Sequence, residues 1–232
     1  MGFRHQTQII GHAFFAVFYP NQCQICNVDL TMNEKHVCLA CSYDLPYIAQ
    51  NEYQLQQLRQ LFWGRVEIQS VFSLLNYQRG NQTQRILHQL KYKKKKKLGT
   101  YFGEVLGATI AAESKFDLIL PIPLHPKKER QRGFNQSLMI AEGISKKINV
   151  PISTKHLIRH AYNQSQTQFS KYDRWQNVKR IFKVKHSSDL EHKHVLLVDD
   201  VLTTGATLEA CVAELMEINN CTISIATLAA RI

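Results

Sequence analysis

Asp199 and Asp200 stand side by side, and a hydroxyl-rich loop of Thr203, Thr204, Gly205, Ala206 and Thr207 follows them. Carboxylates accept hydrogen bonds from neighbouring hydroxyls, whereas backbone N–H groups at a helix start, with hydroxyl donors beside them, hold a phosphate. A ribose 5-phosphate asks for both functions. Its 2′- and 3′-hydroxyls suit the acid pair, its 5′-phosphate suits the loop, and Gly205 lets the backbone come close. No Gly-Lys-Ser/Thr follows, so this is not a Walker A loop. A plainer alternative is a buried strand running into a helix capped by Asp200 and the threonines. Two adjacent acids exceed what capping needs.

A second set of anion-binding residues surrounds Pro121-Ile122-Pro123-Leu124-His125-Pro126. The prolines take the chain out of a sheet into a stiff loop carrying Lys127, Lys128, Arg130 and Arg132. Gly133-Phe134-Asn135-Gln136-Ser137 then opens a helix through Ile148. Cations beside a helix start suit a second phosphate group, although a solvated surface loop has the same composition.

Four cysteines form two Cys-x2-Cys pairs, Cys23/Cys26 and Cys38/Cys41, separated by eleven residues. Two thiolates from each pair complete a tetrahedral, zinc-ribbon-like site with no open position, which makes the metal structural. Disulfide pairing is the alternative. Cys211 and Cys221 read as small core residues.

Elements must position these groups. His194-Val195-Leu196-Leu197-Val198 reads as a strand buried on both faces, Leu208–Met216 as a helix, and Thr222–Ala229 as a last strand. Phe116–Leu120 is another buried strand, Val66–Tyr77 a strand region, and Leu98–Ala112 a close-packed helix with Gly99, Gly103 and Gly107. Leu55, Leu58 and Leu61 mark a linker helix. Between Arg159 and Arg174, Gln168 sits in a polar stretch without periodicity, which suits a mobile lid that excludes water.

Lys91, Lys93, Lys94, Lys95, Lys96 and Lys97 occupy six of seven positions, with Tyr92 among them. The run reads as a solvated turn or helix end, or as a nucleic-acid contact combining charge with stacking. The net charge of +11, from 29 Lys+Arg against 18 Asp+Glu, favours a polyanionic partner or a phosphorylated substrate. At 232 residues the chain can hold one domain and a small appendage, here 1–50 and 51–232. The apolar stretch Ile9–Tyr19 is too short to span a bilayer, and no small-residue cleavage site follows it. The expectation is a cytoplasmic protein without a membrane span.

The Asp199–Thr207 segment resembles the PRPP-binding signature of type I phosphoribosyltransferases. From Pro20 to the end, the order of motifs resembles the ComF family. It runs from the cysteine knuckles through Leu90-Lys91-Tyr92, Pro121-Ile122-Pro123-Leu124 and Arg132–Gln136 to Leu157–Arg159. Thr167-Gln168, Arg174-x2-Asn177-Val178-x3-Phe182 and the acid-pair loop complete it.

The resemblance implies an α/β fold: a type I phosphoribosyltransferase-like parallel sheet flanked by helices, with a small N-terminal zinc-ribbon module. It implies PRPP on Asp199, Asp200 and Thr203 to Thr207, with pyrophosphate at the loop of Lys127, Arg130, Arg132 and Gly133. A lid at Arg159, Gln168 and Arg174, and Mg²⁺ riding on the PRPP oxygens, complete that picture. It also implies service in DNA uptake, with single-stranded DNA and a ComFA-type helicase as partners. No side chain stands out as a general acid or base. A phosphoribosyl-transferring enzyme and a non-catalytic single-stranded DNA-binding module that keeps the PRPP fold therefore both stand as expectations.

Overall fold

The computed structural model describes residues 21–111, 115–159 and 181–232. The chain divides into two compact units, Met1–Leu45 and Pro46–Ile232. In the first, Cys23 N–H donates to the Val28 carbonyl and Asn27 N–H to that of Cys23, closing a turn with Asn27 at φ +63°. Cys38 then caps helix α1 (Leu39–Tyr43) through its sulfur, which accepts from Cys41 N–H at 3.4 Å. The second cysteine pair therefore opens a helix.

In the second unit, α2 (Glu52–Gln60) precedes β1 (Ser70–Asn76). Helices α3 (Gln82–Tyr92) and α4 (Lys96–Ile110) lead to β2 (Leu118–Pro121). Helices α5 (Pro126–Arg132) and α6 (Gln136–Ile148) follow. A ribbon of β3 (Leu157–Arg159) and β4 (Phe182–Val184) comes before β5 (His194–Leu202), α7 (Ala206–Met216) and β6 (Thr222–Ala230). The main sheet has the order β1-β6-β5-β2, and every pairing in it is parallel.

The apolar run expected as a doubly buried strand is the inner strand β5, with Val195 to Val198 at 0% exposure. Val195 and Leu197 join a cluster with Leu208, Val212 and Leu215 of α7 and with Leu58 and Phe62. Helices α4 and α6 pack together and against the sheet strands. Their seam is built on glycine: a Cβ on Gly103 would meet the Ile140 carbonyl, and one on Gly143 the Gly103 backbone. Gly99 faces Met139 and Gly107 faces Ile144 and Lys147, so the two helices run parallel.

One expectation changes. The proline-stiffened basic loop contains a short helix, α5. Pro126 sits in its first turn, where no N–H is needed, His125 Nδ1 accepts from Lys127 N–H at 3.2 Å, and Gly133 ends the helix at φ +80°. No helix among the described residues is long and apolar enough to cross a membrane.

Candidate ligand-binding site

The acid pair lies within β5. Asp199 still pairs with Thr227 of β6, and the ladder continues to Leu202 opposite Ala230. Backbone pairing on both sides of the acids fixes where their side chains start. Asp199 Oδ1 accepts from Asp200 N–H at 2.8 Å and from the Ser137 hydroxyl at 2.9 Å. Ser137 is itself positioned by Asn135, whose Oδ1 accepts its N–H at 3.0 Å while Nδ2 donates to the Ile122 carbonyl at 2.9 Å. One asparagine thus ties the start of α6 to the end of β2, and α6 holds the first acid.

Asp200 is buried, and its Oδ2 meets Lys91 Nζ at 2.9 Å. Burial, with the like charge of Asp200 beside it, pushes the Asp199 carboxyl up to about 7. The Asp200 N–H, the Ser137 hydroxyl and the Lys91 ammonium pull the other way. The Asp199 carboxyl therefore holds its proton to a higher pH than an ordinary carboxylic acid does.

Beyond β5, Thr203, Thr204 and Thr207 are exposed. Gly205 caps α7 at φ +79° and brings no side-chain hydrogen bond, which leaves the helix-start N–H groups without a cap from that residue. A Cβ on Gly205 would lie 3.2 Å from the Phe62 ring and 3.7 Å from Arg65 Nη2. Arg65 Nη1 bonds Glu209 Oε2 at 2.7 Å and reaches the Thr204 carbonyl at 3.5 Å, clasping the loop from a segment far away in sequence. The arrangement offers acceptors for a diol and, one loop away, donors for a phosphate.

The structure brings Arg132 into this neighbourhood by an Nη1 hydrogen bond of 2.7 Å to Gln136 Oε1, one residue before Ser137. Lys127 and Arg130 are exposed on α5, and Gly133 separates α5 from α6. Arg159 stacks over the Phe182 ring at 5.2 Å, inside the β3–β4 ribbon. Gln168 and Arg174 lie outside the described residues. In the lysine run, Lys91 faces Asp200, whereas Tyr92, Lys93, Lys94, Lys96 and Lys97 are exposed and Lys95 is half-buried.

The sequence marks Asn135 and Ser137 only as part of a helix start, and it does not mark Arg65 at all. An Asn ahead of a helical stretch is a capping signal that would have marked Asn135 as the cap. Arg65 carries no local signal, because its partners Thr204 and Glu209 are distant in the chain.

The sulfurs of Cys23, Cys26, Cys38 and Cys41 all lie within 4.8 Å of one another. Cys26 Sγ and Cys38 Sγ are 3.7 Å apart. Four thiolates at metal–sulfur distances of about 2.3 Å in a tetrahedron stand ~3.8 Å apart, so this set could hold a metal ion. Burial opposes charge on Cys23, but N–H groups of Cys26, Cys38 and Ile25 outweigh it and bring the thiol down to about 6. Burial and the neighbouring sulfurs push Cys41 up.

Residues 135–232 match the family model of the phosphoribosyl transferase domain. Competence protein F of Haemophilus influenzae is 33% identical over 93 residues, covering 40% of this chain and 41% of that protein. Competence protein ComFC of Bacillus subtilis is 36% identical over 103 residues, covering 44% and 40%. DNA utilization protein YhgH of Escherichia coli O157:H7 is 28% identical over 137 residues, covering 56% and 59%. The chain thus spans between 40% and 59% of the length of these relatives.

Proposed function

The chain is a ComF-family protein with a phosphoribosyl transferase domain, and on that premise we propose that it binds PRPP together with Mg²⁺ in the service of DNA uptake. The observation that carries this reading is the acid pair of β5, held by Ser137 and Lys91 immediately ahead of the glycine-capped start of α7. Asp199 and Asp200 accept from the ribose hydroxyls. Thr203, Thr204, Gly205, Ala206 and Thr207 surround the 5′-phosphate with hydroxyl and N–H donors. Lys127, Arg130 and Arg132 of α5 supply positive charge toward the pyrophosphate, and Gly133 lets the backbone come close. Mg²⁺ on the PRPP oxygens lowers the charge that these residues must offset.

The domain of residues 51–232 carries this site, and residues 1–50 carry a Zn²⁺ bound by Cys23, Cys26, Cys38 and Cys41. The lid of Arg159, Gln168 and Arg174 excludes water. Such a site positions PRPP and stabilises departing pyrophosphate, which serves pentosyl transfer to an acceptor. Calorimetric titration of PRPP with Mg²⁺ into the zinc-loaded protein, beside Asp199→Asn/Asp200→Asn, tests the reading. Micromolar binding that the variant loses supports it; absence of binding to the wild-type protein overturns it. Release of pyrophosphate with a candidate acceptor then separates an enzyme from a PRPP sensor.

Two exposed aromatics beside cations favour a second reading, a single-stranded DNA-binding module. Tyr92 is 59% exposed within the lysine run. Trp63, 62% exposed, lines a cleft of about 590 Å³ with Arg59 and Arg65. Stacking on such rings beside cations is the usual basis of sequence-tolerant strand binding. DNA held there would be handed to or received from a ComFA-type helicase in the cytoplasm.

A further inference from the structure

The lysine run is not uniform in direction. Lys91 pairs with Asp200. After the α3 cap at Lys93, Lys94 takes a left-handed conformation at φ +54°, which a side-chain-bearing residue adopts rarely. The turn brings the Lys94 side chain against Gly133, where a Cβ would lie 3.6 Å from Lys94 Cε. Lys96 then places its Nζ 5.7 Å from the centre of the Phe134 ring. Three lysines of one segment therefore lie first at the acid pair and then along the junction of α5 and α6.

Helix packing holds this arrangement. The glycine seam keeps α4 and α6 parallel, so Lys96 at the start of one and Gln136 at the start of the other share an end. Both helix dipoles present their positive ends there. Lys91, Lys94, Lys96 and Arg132 bring four cations to this region, and among the described residues only Lys91 of the four makes an ion pair with a carboxylate. Cations gathered at this density repel one another unless an anion lies among them.

We propose that residues 91–96 form a cationic strap within the ligand site itself, and that Lys91 is a specificity-determining residue favouring a ribose that carries a 1-diphosphate over ribose 5-phosphate alone. This rests on the PRPP-binding reading. An ammonium has three donors, and Asp200 takes one; the others serve ligand oxygens. The strap bridges the acids, which suit the ribose diol, and Gly133–Phe134, which border the basic loop assigned to the diphosphate. Ribose 5-phosphate fills the diol and 5′-phosphate positions but offers nothing to the strap.

The test measures affinity for PRPP with Mg²⁺ and for ribose 5-phosphate in wild type, Lys91→Met, Lys91→Arg and the charge-matched surface control Lys193→Met. Loss of a charge-assisted contact costs about tenfold or more. Lys91→Met is expected to lose at least that for PRPP while changing ribose 5-phosphate less than about threefold, with Lys91→Arg restoring part of the preference. Lys193→Met should match wild type for both ligands. Equal losses for both ligands in Lys91→Met would show that Lys91 acts only through Asp200, and unchanged affinities would show no role; either overturns the strap. If Lys91→Met melts far below wild type, Lys91→Gln, which keeps a polar head without the charge, decides: an unchanged ratio of the two affinities overturns the proposal. Wild-type protein that binds neither ligand overturns the PRPP-binding reading, a result distinct from wild-type binding that Lys91 variants leave untouched.

Discussion

Replacing Asp199 with Asn should make the ligand-free protein more stable above neutral pH. In the native protein, burial and Asp200 raise the Asp199 carboxyl from 3.8 to about 7. Its ionisation is therefore easier in the unfolded chain. The contribution of this group to stability is full below pH 3.8 and is lost as the pH rises through about 7. A shift of roughly three units at about 1.4 kcal/mol each sets a ceiling of ~4 kcal/mol. Coupling to Asp200 and partial solvent access reduce this to the order of 2 kcal/mol. Asn keeps the acceptor that Ser137 and the Asp200 N–H address but carries no charge. Urea unfolding of zinc-loaded wild type and Asp199→Asn at pH 5 and pH 8 checks the claim. The variant should gain on wild type by about 1–3 kcal/mol between those pH values. A variant no more stable than wild type at pH 8 would refute the account of a carboxylate held against its own solvation.

Gly205→Ala imposes a side chain at φ +79° and pushes it toward Phe62, so chemical denaturation should report a loss of about 1–3 kcal/mol. Arg65→Met removes the Glu209 ion pair and the reach to Thr204; it should weaken PRPP binding severalfold, read by calorimetry, with little change in unfolding midpoint. Chelation or Cys38→Ser should release stoichiometric zinc and speed amide exchange at Ile25, Cys38 and Cys41, whose N–H groups face cysteine sulfurs. Lys93→Gln/Lys97→Gln removes two outward cations, and the log–log salt slope of single-stranded DNA binding should flatten by up to about 0.7 per cation.

The parts of the fold that were readable from sequence are those where local pattern and chemistry coincide. An unbroken apolar run followed by two acids, a glycine among threonines and helical spacing leaves few alternatives, and β5, its loop and α7 appear where expected. Paired cysteines likewise announce their cluster. Prolines misled the reading of α5, because three of them suggest an extended loop while Pro126 in fact occupies a helix's first turn, capped by a histidine that capping preferences rank low. The lysine run was legible only in part. Composition cannot say that Lys94 adopts a left-handed turn or that Lys91 meets an acid more than a hundred residues later in the chain. Arg65 belongs to the same class: its contacts exist only once α2, β1 and α7 are packed.

Glycines far from the acid pair set a dimension of the candidate site. Gly103 lies about 10 Å along α4 from Lys96, reckoned at 1.5 Å of rise per residue. At that point only hydrogen separates α4 from α6. The seam acts as a fulcrum: one added methyl group there would wedge the two helices apart and spread the gap between Lys96 and Phe134. Affinity for a phosphorylated ligand would then register a change made deep in the apolar interior, and selection on binding would reach positions that no ligand ever meets.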